Sequence, residues 1–422
     1  MQQKAKTFIE EIMGCSTLIV NGGSFGGRLK YELEKKGAGK VFEIYTEDYT
    51  EDRNLLYKAC LHAIASAIDR KQHYTDYSMR IEGSARIDWS DIRKRVQERA
   101  ERMHGERKPK ARGLVEEKDG KVYIDGRRCA SKSVVIVESQ KSSAPTFSNV
   151  WIWLAEQEGV PGCVFVQGNN KHAVEAASIL SDLGSKVYLA TQKKELLCDY
   201  EKNIRESVKT LLLEKGVVIF FESSVKSVST EKKTSIAVEM CTGAEQNISG
   251  IDLFLAEAEY AETETTAEGQ TVVRVAEPRQ KIGMAEVSVL RKICPGIFPE
   301  GEQYMPFVPS FVYTSPPAAS VGYTQEEAEE LFSGVRAANP KFRGLFYAVC
   351  SHKVPTDYKL VFASFSEGHL RKEKIVGMHL FGPGSIDAIK GFIGTFHCDI
   401  SLEEILKTIP IHPTSSEEII TG

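Results

Sequence analysis

The sequence predicts an α/β protein in which buried strands end in glycine-rich turns that lead into helices. Residues 16–20 form an apolar strand, a turn reading Asn-Gly-Gly-Ser-Phe-Gly-Gly follows, and a helical segment leads to a second strand near residues 40–45. A related turn at residues 168–173 separates another apolar strand from a helical segment that ends at Gly184. Strand, glycine turn, helix and strand in this order are typical of a Rossmann-like unit. We therefore expect two such units.

Composition places the chain among ordinary globular proteins. Its 422 residues suffice for two or three domains, and 42% of them are hydrophobic and 27% charged. The formal net charge of −4 is too small to indicate a partner. No apolar run approaches the roughly 20 residues of a membrane helix, and the first residues lack the apolar core of a signal peptide. We expect a cytoplasmic protein without a membrane partner.

The cysteines are scattered along the chain. There are nine of them, and the two closest in sequence, Cys129 and Cys163, lie 34 residues apart. Neither a CxxC nor a CxxxxC motif occurs, and no spacing indicates metal ligands. The pattern predicts free thiols, without a disulfide framework and without a metal site.

The first glycine turn places Asn21, Gly23 and Gly26 at the three motif positions. The first position makes the tight turn, the second lets phosphate approach, and the third lets helix and strand pack. Asparagine adopts left-handed conformations at modest cost, whereas Phe25 adds bulk where a diphosphate would approach. Glu43 or Glu47 could hold a ribose. A turn kept only for packing and a working nucleotide site both fit these residues.

The chain ends in His-Pro-Thr-Ser-Ser-Glu-Glu-Ile-Ile-Thr-Gly, which resembles the closing motif of the flavin-dependent pyridine nucleotide-disulfide oxidoreductases, especially glutathione reductase. In that family the histidine and the glutamate five residues later, here His412 and Glu417, handle the proton of a thiolate. Another explanation is helix capping, because Thr414 with Glu417 and Ser415 with Glu418 each fit a capping box. The pair is therefore either a working acid–base pair or a structural remnant.

The resemblance extends along the chain and is strongest after residue 303. It implies a degenerate FAD-type domain at residues 1–150 with 265–302 and a degenerate NAD(P)-type domain at 151–264. Residues 303–422, with strands near 358–364 and 374–381, then form an α+β interface domain. The family uses this last domain for homodimerisation, so a homodimer through 303–422 is expected.

The sequence departs from the family at the positions that carry its chemistry. Where the family has two redox cysteines on one helix, residues 50–63 contain only Cys60. The second turn starts at Gly168 but has Asn170 in place of a glycine, and a Cβ there would obstruct a pyrophosphate. Gln192 and Cys198 stand at the positions of the phosphate-binding arginines. Ala276-Glu277 replaces the Gly-Asp that holds the flavin's ribityl chain.

A basic segment is the main candidate for a partner surface. Residues 91–113 contain nine basic side chains against four acidic ones, a local charge of +5. Such a segment is either a solvated helix face or a patch that grips phosphates or an acidic partner. The basic residues are Arg93, Lys94, Arg95, Arg99, Arg102, Arg107, Lys108, Lys110 and Arg112.

Together these departures predict a pseudoenzyme: a glutathione-reductase-like, non-catalytic scaffold that binds a macromolecule, with RNA or the ribosome as candidates. No cofactor is expected in this interpretation, and His412 and Glu417 would be vestigial. The alternative is a divergent oxidoreductase that uses FAD or NADPH without a redox-active disulfide. A third possibility is a subunit that pairs with a catalytic homologue through residues 303–422.

Overall fold

The structure, a computed structural model, divides into two compact units. The first comprises residues 1–58, 95–155 and 258–306, and the second comprises residues 59–94, 156–257 and 307–422. The structure describes residues 15–46, 51–71, 73–79, 88–106, 114–138, 145–229, 234–256, 263–267, 270–276, 282–297, 307–351, 355–367, 370–398 and 400–421.

Strands and helices alternate in the parallel parts of both units. The helices are α1 (Gly23–Lys35), α2 (Glu51–Lys71), α3 (Trp89–Glu106), α4 (Val150–Glu156), α5 (Lys171–Asp182), α6 (Lys202–Glu214), α7 (Ile282–Ile293), α8 (Gln325–Leu331), α9 (Leu345–Ala348), α10 (Ser385–His397), α11 (Leu402–Leu406) and α12 (Glu418–Thr421). The strands are β1 (Thr17–Val20), β2 (Val41–Ile44), β3 (Val115–Lys118), β4 (Lys121–Ile124), β5 (Arg127–Arg128), β6 (Ser133–Glu138), β7 (Cys163–Gln167), β8 (Lys186–Ala190), β9 (Val218–Phe220), β10 (Ser223–Ser229), β11 (Thr234–Met240), β12 (Glu245–Ile251), β13 (Leu253–Ala256), β14 (Thr263–Ala267), β15 (Gln270–Ala276), β16 (Ser310–Val312), β17 (Ala318–Gly322), β18 (Arg336–Ala338), β19 (Lys341–Phe342), β20 (Thr356–Glu367) and β21 (Leu370–Phe381).

The first unit is built on a five-stranded sheet in the order β14-β15-β6-β1-β2. Strands β15, β6, β1 and β2 run parallel, and β14 pairs antiparallel at the edge. Alternate residues of β1 enter different cores, because successive side chains of a strand point to opposite faces. Ile19 packs with Leu29 and Leu33 of α1, whereas Leu18 packs with Val122 of the three-stranded sheet β3-β4-β5. Burial on both faces explains the continuous apolar run of β1.

The second unit contains a four-stranded parallel sheet in the order β13-β7-β8-β9. Helices α5 and α6 are its crossover helices, and the antiparallel sheet β10-β11-β12 is inserted between β9 and β13. The residues of α5 from Ala173 to Leu180 are all buried. This arrangement leaves the β7–α5 turn at the carboxyl end of the parallel strands, the position at which open α/β sheets bind ligands.

The C-terminal part of the second unit is an antiparallel sheet in the order β16-β17-β21-β20-β18, with β19 also pairing β20. Two twelve-residue strands, β20 and β21, form its centre. Tyr358 and Met378 are buried in its core, together with Ile389 of α10 and Ile405 of α11. The fold is thus the predicted one, with a Rossmann-like part in each of the two compact units and a C-terminal α+β part in the second. In the described part of the chain, no helix combines the length and apolar character that crossing a membrane requires.

Candidate functional site

The first glycine turn begins with an asparagine in the left-handed region. Asn21 follows β1 with φ of 55°. Its Nδ2 donates to Thr46 Oγ1 at 2.9 Å, and its Oδ1 accepts from the Thr46 backbone N–H at 2.8 Å. The side chain therefore links the carboxyl ends of β1 and β2, where a Rossmann unit receives its nucleotide.

Two glycines of this turn have no room for a side chain. A Cβ added at Gly26 would lie 2.9 Å from Ile19 Cγ2, and one at Gly22 would lie 2.5 Å from the Cα of Gly26. The absence of a Cβ lets α1 pack directly on β1. Gly23 opens α1. The packing function of the glycine turn is thus present whether or not a nucleotide binds.

Phe25 lies in a different place from the one that the sequence suggested. The Phe25 side chain is 3% exposed and packs with Ile19 and Leu29, so it points into the core and not toward a diphosphate. Glu43 is half-buried, and its Oε1 is buried against the turn, 2.6 Å from where a Cβ of Gly22 would lie. The side chain therefore occupies space beside the turn that would receive a diphosphate. Glu47 lies outside the described residues.

In the second glycine turn, the side chain of Asn170 hydrogen-bonds to the start of the following helix. Gly168 has φ of 153°, a conformation that favours glycine. Asn170 is the N-cap of α5, and its Oδ1 accepts hydrogen bonds from the backbone N–H groups of His172 at 2.9 Å and Ala173 at 3.1 Å. These helix N-terminal donors are the groups that bind a pyrophosphate in a Rossmann unit. The side-chain oxygen of Asn170 therefore accepts the hydrogen bonds that a phosphate would accept. The Cβ of Asn170 would in addition obstruct the phosphate.

Cationic side chains in and next to the loop after β8 pair with acidic side chains. Lys194 lies 3.9 Å from Glu222, and Arg205 of α6 places Nη1 2.5 Å from Glu195 Oε2. Gln192 is exposed, and Cys198 accepts a hydrogen bond from Asn169 Nδ2 at 3.3 Å. The sequence did not single out Arg205, because this residue lies one helical turn beyond the loop, in α6. Its pairing with Glu195 opposes the binding of a 2′-phosphate at this loop.

The histidine and glutamate of the closing motif lie next to each other. His412 Nδ1 is 3.0 Å from Glu417 Oε2 and 3.1 Å from Oε1. The His412 side chain is 81% exposed, whereas that of Glu417 is 13% exposed. The Thr414 hydroxyl donates to the Ile411 carbonyl. The Glu417 carboxylate, which a capping box would direct to the Thr414 amide, contacts the imidazole. A carboxylate in this place orients the ring and leaves Nε2 toward solvent.

Cys60, the single cysteine of α2, is half-buried, and no cysteine of the described residues takes part in a disulfide. The nearby His62 places Nε2 3.0 Å from the Thr314 carbonyl. The Nε2 atom of His62 is therefore engaged by this carbonyl and, at 3.3 Å, by the Ser66 hydroxyl.

The basic segment is partly a helix surface. Arg93 donates to the Gln157 carbonyl at 3.0 Å, which fixes its side chain. The other basic residues of α3 are exposed: Lys94, Arg95, Arg99 and Arg102. Arg107, Lys108, Lys110 and Arg112 lie outside the described residues, as does Glu277 of the expected ribityl-binding turn.

Comparison with protein families identifies two parts of the chain. Residues 308–421 match the dimerisation domain of pyridine nucleotide-disulphide oxidoreductases, and residues 164–245 match the pyridine nucleotide-disulphide oxidoreductase domain. The fold and these matches define the class as a pyridine nucleotide-disulphide oxidoreductase fold with a dimerisation domain. The second match contains the Asn170 turn, and the first contains the His412–Glu417 pair.

Two glutathione reductases are among the similar proteins. That of Yarrowia lipolytica is 24% identical over 296 residues, covering 63% of this chain and 62% of that protein. That of Schizosaccharomyces pombe is 24% identical over 363 residues, covering 72% of this chain and 76% of that protein. The chain thus spans less than two thirds of the first relative. It is a glutathione-reductase-like member of the pyridine nucleotide-disulphide oxidoreductase family.

Proposed function

We propose that this protein is a pseudoenzyme: it keeps the reductase fold, does not reduce disulfides, and acts as a scaffold that binds a macromolecule. The observation that carries the proposal is the Asn170 cap, whose Oδ1 occupies the His172 and Ala173 N–H groups. Disulfide reduction also needs an attacking thiolate and a resolving thiol. Residues 50–63 supply one cysteine, Cys60.

The two nucleotide turns oppose cofactor binding in different ways. At the second turn, a phosphate would have to displace a cap that contributes about 1 kcal/mol to the helix. At the first turn, Glu43 Oε1 lies against Gly22 and Gly26 and occupies the space beside the glycines. We accordingly expect no bound cofactor in the purified protein.

An absorbance spectrum and an NADPH titration test the proposal. The purified full-length chain is expected to be colourless and to bind NADPH at least tenfold more weakly than Asn170→Gly, in which the two N–H groups are released. The control is Ser401→Gly, which removes the N-cap of α11 away from the turn and should leave NADPH binding unchanged. A yellow protein with stoichiometric flavin, or steady NADPH oxidation by the wild type, would contradict the proposal.

For the partner, we propose RNA or a ribonucleoprotein such as the ribosome, bound through the exposed basic residues of α3. Cations that neutralise phosphates release counterions, so such binding weakens steeply with salt. The variant Arg95→Gln/Arg99→Gln/Arg102→Gln should reduce affinity for a single-stranded RNA probe at least tenfold and flatten its salt dependence. The matched control is Lys202→Gln/Lys209→Gln/Lys407→Gln, which removes three exposed cations elsewhere. Equal binding by both triple variants would exclude this surface.

The alternative, a divergent oxidoreductase that uses FAD or NADPH with a non-disulfide acceptor, is favoured by one observation. The His412–Glu417 pair keeps a hydrogen-bonded geometry suited to proton transfer. If this alternative holds, NADPH oxidation with a quinone acceptor should occur and should fall about 10²-fold or more in His412→Ala. Absence of turnover in the wild type with added FAD would exclude it.

We propose that the chain forms a homodimer through residues 303–422 and acts in the cytoplasm. The match of residues 308–421 to a dimerisation domain supports the homodimer. Exposed apolar side chains next to the closing motif also support it, because Ile409 is 92% and Ile411 is 77% exposed. Measurement of the mass in solution tests this, since a monomer would favour pairing with a different, catalytic homologue.

A further inference from the structure

We propose that the second unit holds a divalent transition-metal site, suited to zinc, with His73, Asp76 and Cys350 as ligands. One ring nitrogen of His73, a carboxylate oxygen of Asp76 and the Cys350 sulfur all lie within 4.8 Å of one another. His73 and Asp76 lie three positions apart, but Cys350 follows them by more than 270 positions, so no local motif indicates all three. This site is independent of the nucleotide turns and of the closing motif.

The two softer ligands are withdrawn from solvent. His73 and Cys350 are each 1% exposed, whereas the Asp76 side chain is 16% exposed. The imidazole, the thiol and the carboxylate bring one nitrogen, one sulfur and one oxygen atom to one place, where the Tyr77 hydroxyl also hydrogen-bonds to Cys350. The partly exposed Asp76 leaves a side from which a metal ion and a water molecule can enter.

Local backbone structure brings His73 and Asp76 together. Residues 73–78 form a tight turn after α2, in which the Asp76 N–H donates to the His73 carbonyl at 3.0 Å. Residues three apart in such a turn face the same side, and His73 Nδ1 lies 3.8 Å from Asp76 Oδ2. Cys350 reaches them from the segment after α9, where its N–H donates to the Tyr347 carbonyl at 3.3 Å.

Neighbouring side chains hold the ligands in place. Ser351 Oγ donates to Asp76 Oδ1 at 2.5 Å, which leaves Oδ2 directed to His73. The Tyr347 ring packs edge-on against His73 with a centroid distance of 5.2 Å. Hydrogen bonds to ligating carboxylates and packing around ligating imidazoles are the usual outer contacts of a metal site.

The ligand chemistry favours zinc. A thiolate selects zinc and other soft or borderline ions over magnesium and calcium, and imidazole and carboxylate also suit zinc. Zinc bonds of about 2.0–2.3 Å place tetrahedral ligand atoms roughly 3.5 Å apart, so the 4.8 Å cluster needs to contract by only about 1 Å. Three protein ligands leave a fourth position for water, as in open zinc sites.

Metal analysis of the full-length protein tests the proposal. After expression with zinc and extensive dialysis, the wild type should retain about one zinc per chain, measured by plasma mass spectrometry. His73→Gln and Cys350→Ser should retain less than a tenth of this amount, whereas Cys398→Ser, which changes an exposed thiol, should retain it fully. Cobalt(II) added to the metal-free wild type should give a thiolate-to-cobalt charge-transfer band that Cys350→Ser lacks.

Two further measurements keep the proposal testable if a ligand variant does not fold. Ser351→Ala leaves all three ligands in place and should weaken zinc binding 10- to 100-fold. Chelation of the wild type should lower its Tm, and added zinc should restore it. Wild type without retained zinc and without the cobalt band would overturn the proposal, as would equal zinc loss from Cys398→Ser.

Discussion

The two glycine turns each carry an asparagine where a glycine is usual, and the two asparagines do opposite things. Asn21 adopts a left-handed φ of 55° and hydrogen-bonds outward to Thr46. Asn170 is extended, with φ of −80° and ψ of 177°, and hydrogen-bonds inward to the first turn of α5. Asn21 preserves the shape of its turn, whereas Asn170 accepts hydrogen bonds from the N–H groups that would otherwise bind an anion.

The difference shows that the position of a substitution decides its consequence for a phosphate site. At the tight-turn position, asparagine reproduces the backbone conformation that glycine provides. At the close-approach position, the same side chain becomes an N-cap, because its oxygen reaches the free N–H groups of the helix. Four experiments test this contrast, in decreasing order of expected effect.

The largest effect is expected at Gly26, where the first turn packs on β1. In Gly26→Ala the new Cβ would lie 2.8 Å from Glu43 Oε1 and 2.9 Å from Ile19 Cγ2, so the free energy of unfolding should fall by about 3 kcal/mol. The control is Gly27→Ala in the same helix. A Cβ there meets nothing within 4 Å, and it should raise stability by roughly 0.5–1 kcal/mol. Equal urea midpoints for the two variants would show that α1 does not depend on this close approach.

The next effect concerns the left-handed backbone of Asn21. Asn21→Ala keeps the φ of 55° without the bonds to Thr46 and should lose about 2 kcal/mol of unfolding free energy, because a left-handed alanine is strained. Asn21→Gly loses the same hydrogen bonds without the strain and should be roughly 1 kcal/mol more stable than the alanine variant. Urea denaturation measures both, and a glycine variant as unstable as the alanine variant would assign the whole effect to the hydrogen bonds.

The other end of α5 provides a pH-dependent effect. Burial raises the pKa of Asp182 to about 7, against the opposing effect of Lys215, whose ammonium also pairs with Asp69 at 2.9 Å. One cation shared by two buried carboxylates leaves one of them poorly compensated. Because the folded protein keeps a proton on Asp182 that the unfolded chain has already released, the contribution of Asp182 to stability is greatest at low pH and is lost as pH rises through 7.

The fall attributable to Asp182 should be about 1 kcal/mol between roughly pH 6 and pH 8. Urea midpoints across this range measure it. Asp182→Asn should remove this part of the slope, whereas Glu206→Gln, at an exposed position on α6, should keep it. An unchanged slope in Asp182→Asn would place the pH dependence elsewhere.

The smallest effect is expected at Asn170 itself. Asn170→Ala should destabilise α5 by about 1 kcal/mol through loss of the cap, and Asn170→Gly by only a few tenths. The two variants release the same N–H groups, but only glycine also removes the Cβ that stands in a phosphate's path. NADPH binding gained by the glycine variant alone would attribute the block to the Cβ, and binding gained by both would attribute it to the amide oxygen.

The fold and the location of the candidate sites could be predicted from the sequence. The side-chain contacts within those sites could not. Periodicity and turn composition placed the strand that the structure shows at Thr17–Val20, and the turns that follow β1 and β7. The sequence also placed His412 and Glu417 five residues apart, and their side chains are in contact. It did not indicate that Phe25 turns into the core, nor that Glu43 Oε1 lies buried against the glycines.

The alternation of strands, glycine turns and helices follows from the sequence, because it depends on local backbone preferences and on the burial of apolar residues. The contacts within each turn, and the meeting of distant residues, follow from the packing of the folded chain. Whether Asn170 faces a helix or a ligand depends on hydrogen-bond donors that exist only once α5 has formed. The meeting of His73 and Asp76 with Cys350 likewise depends on long-range packing, which no spacing along the chain encodes.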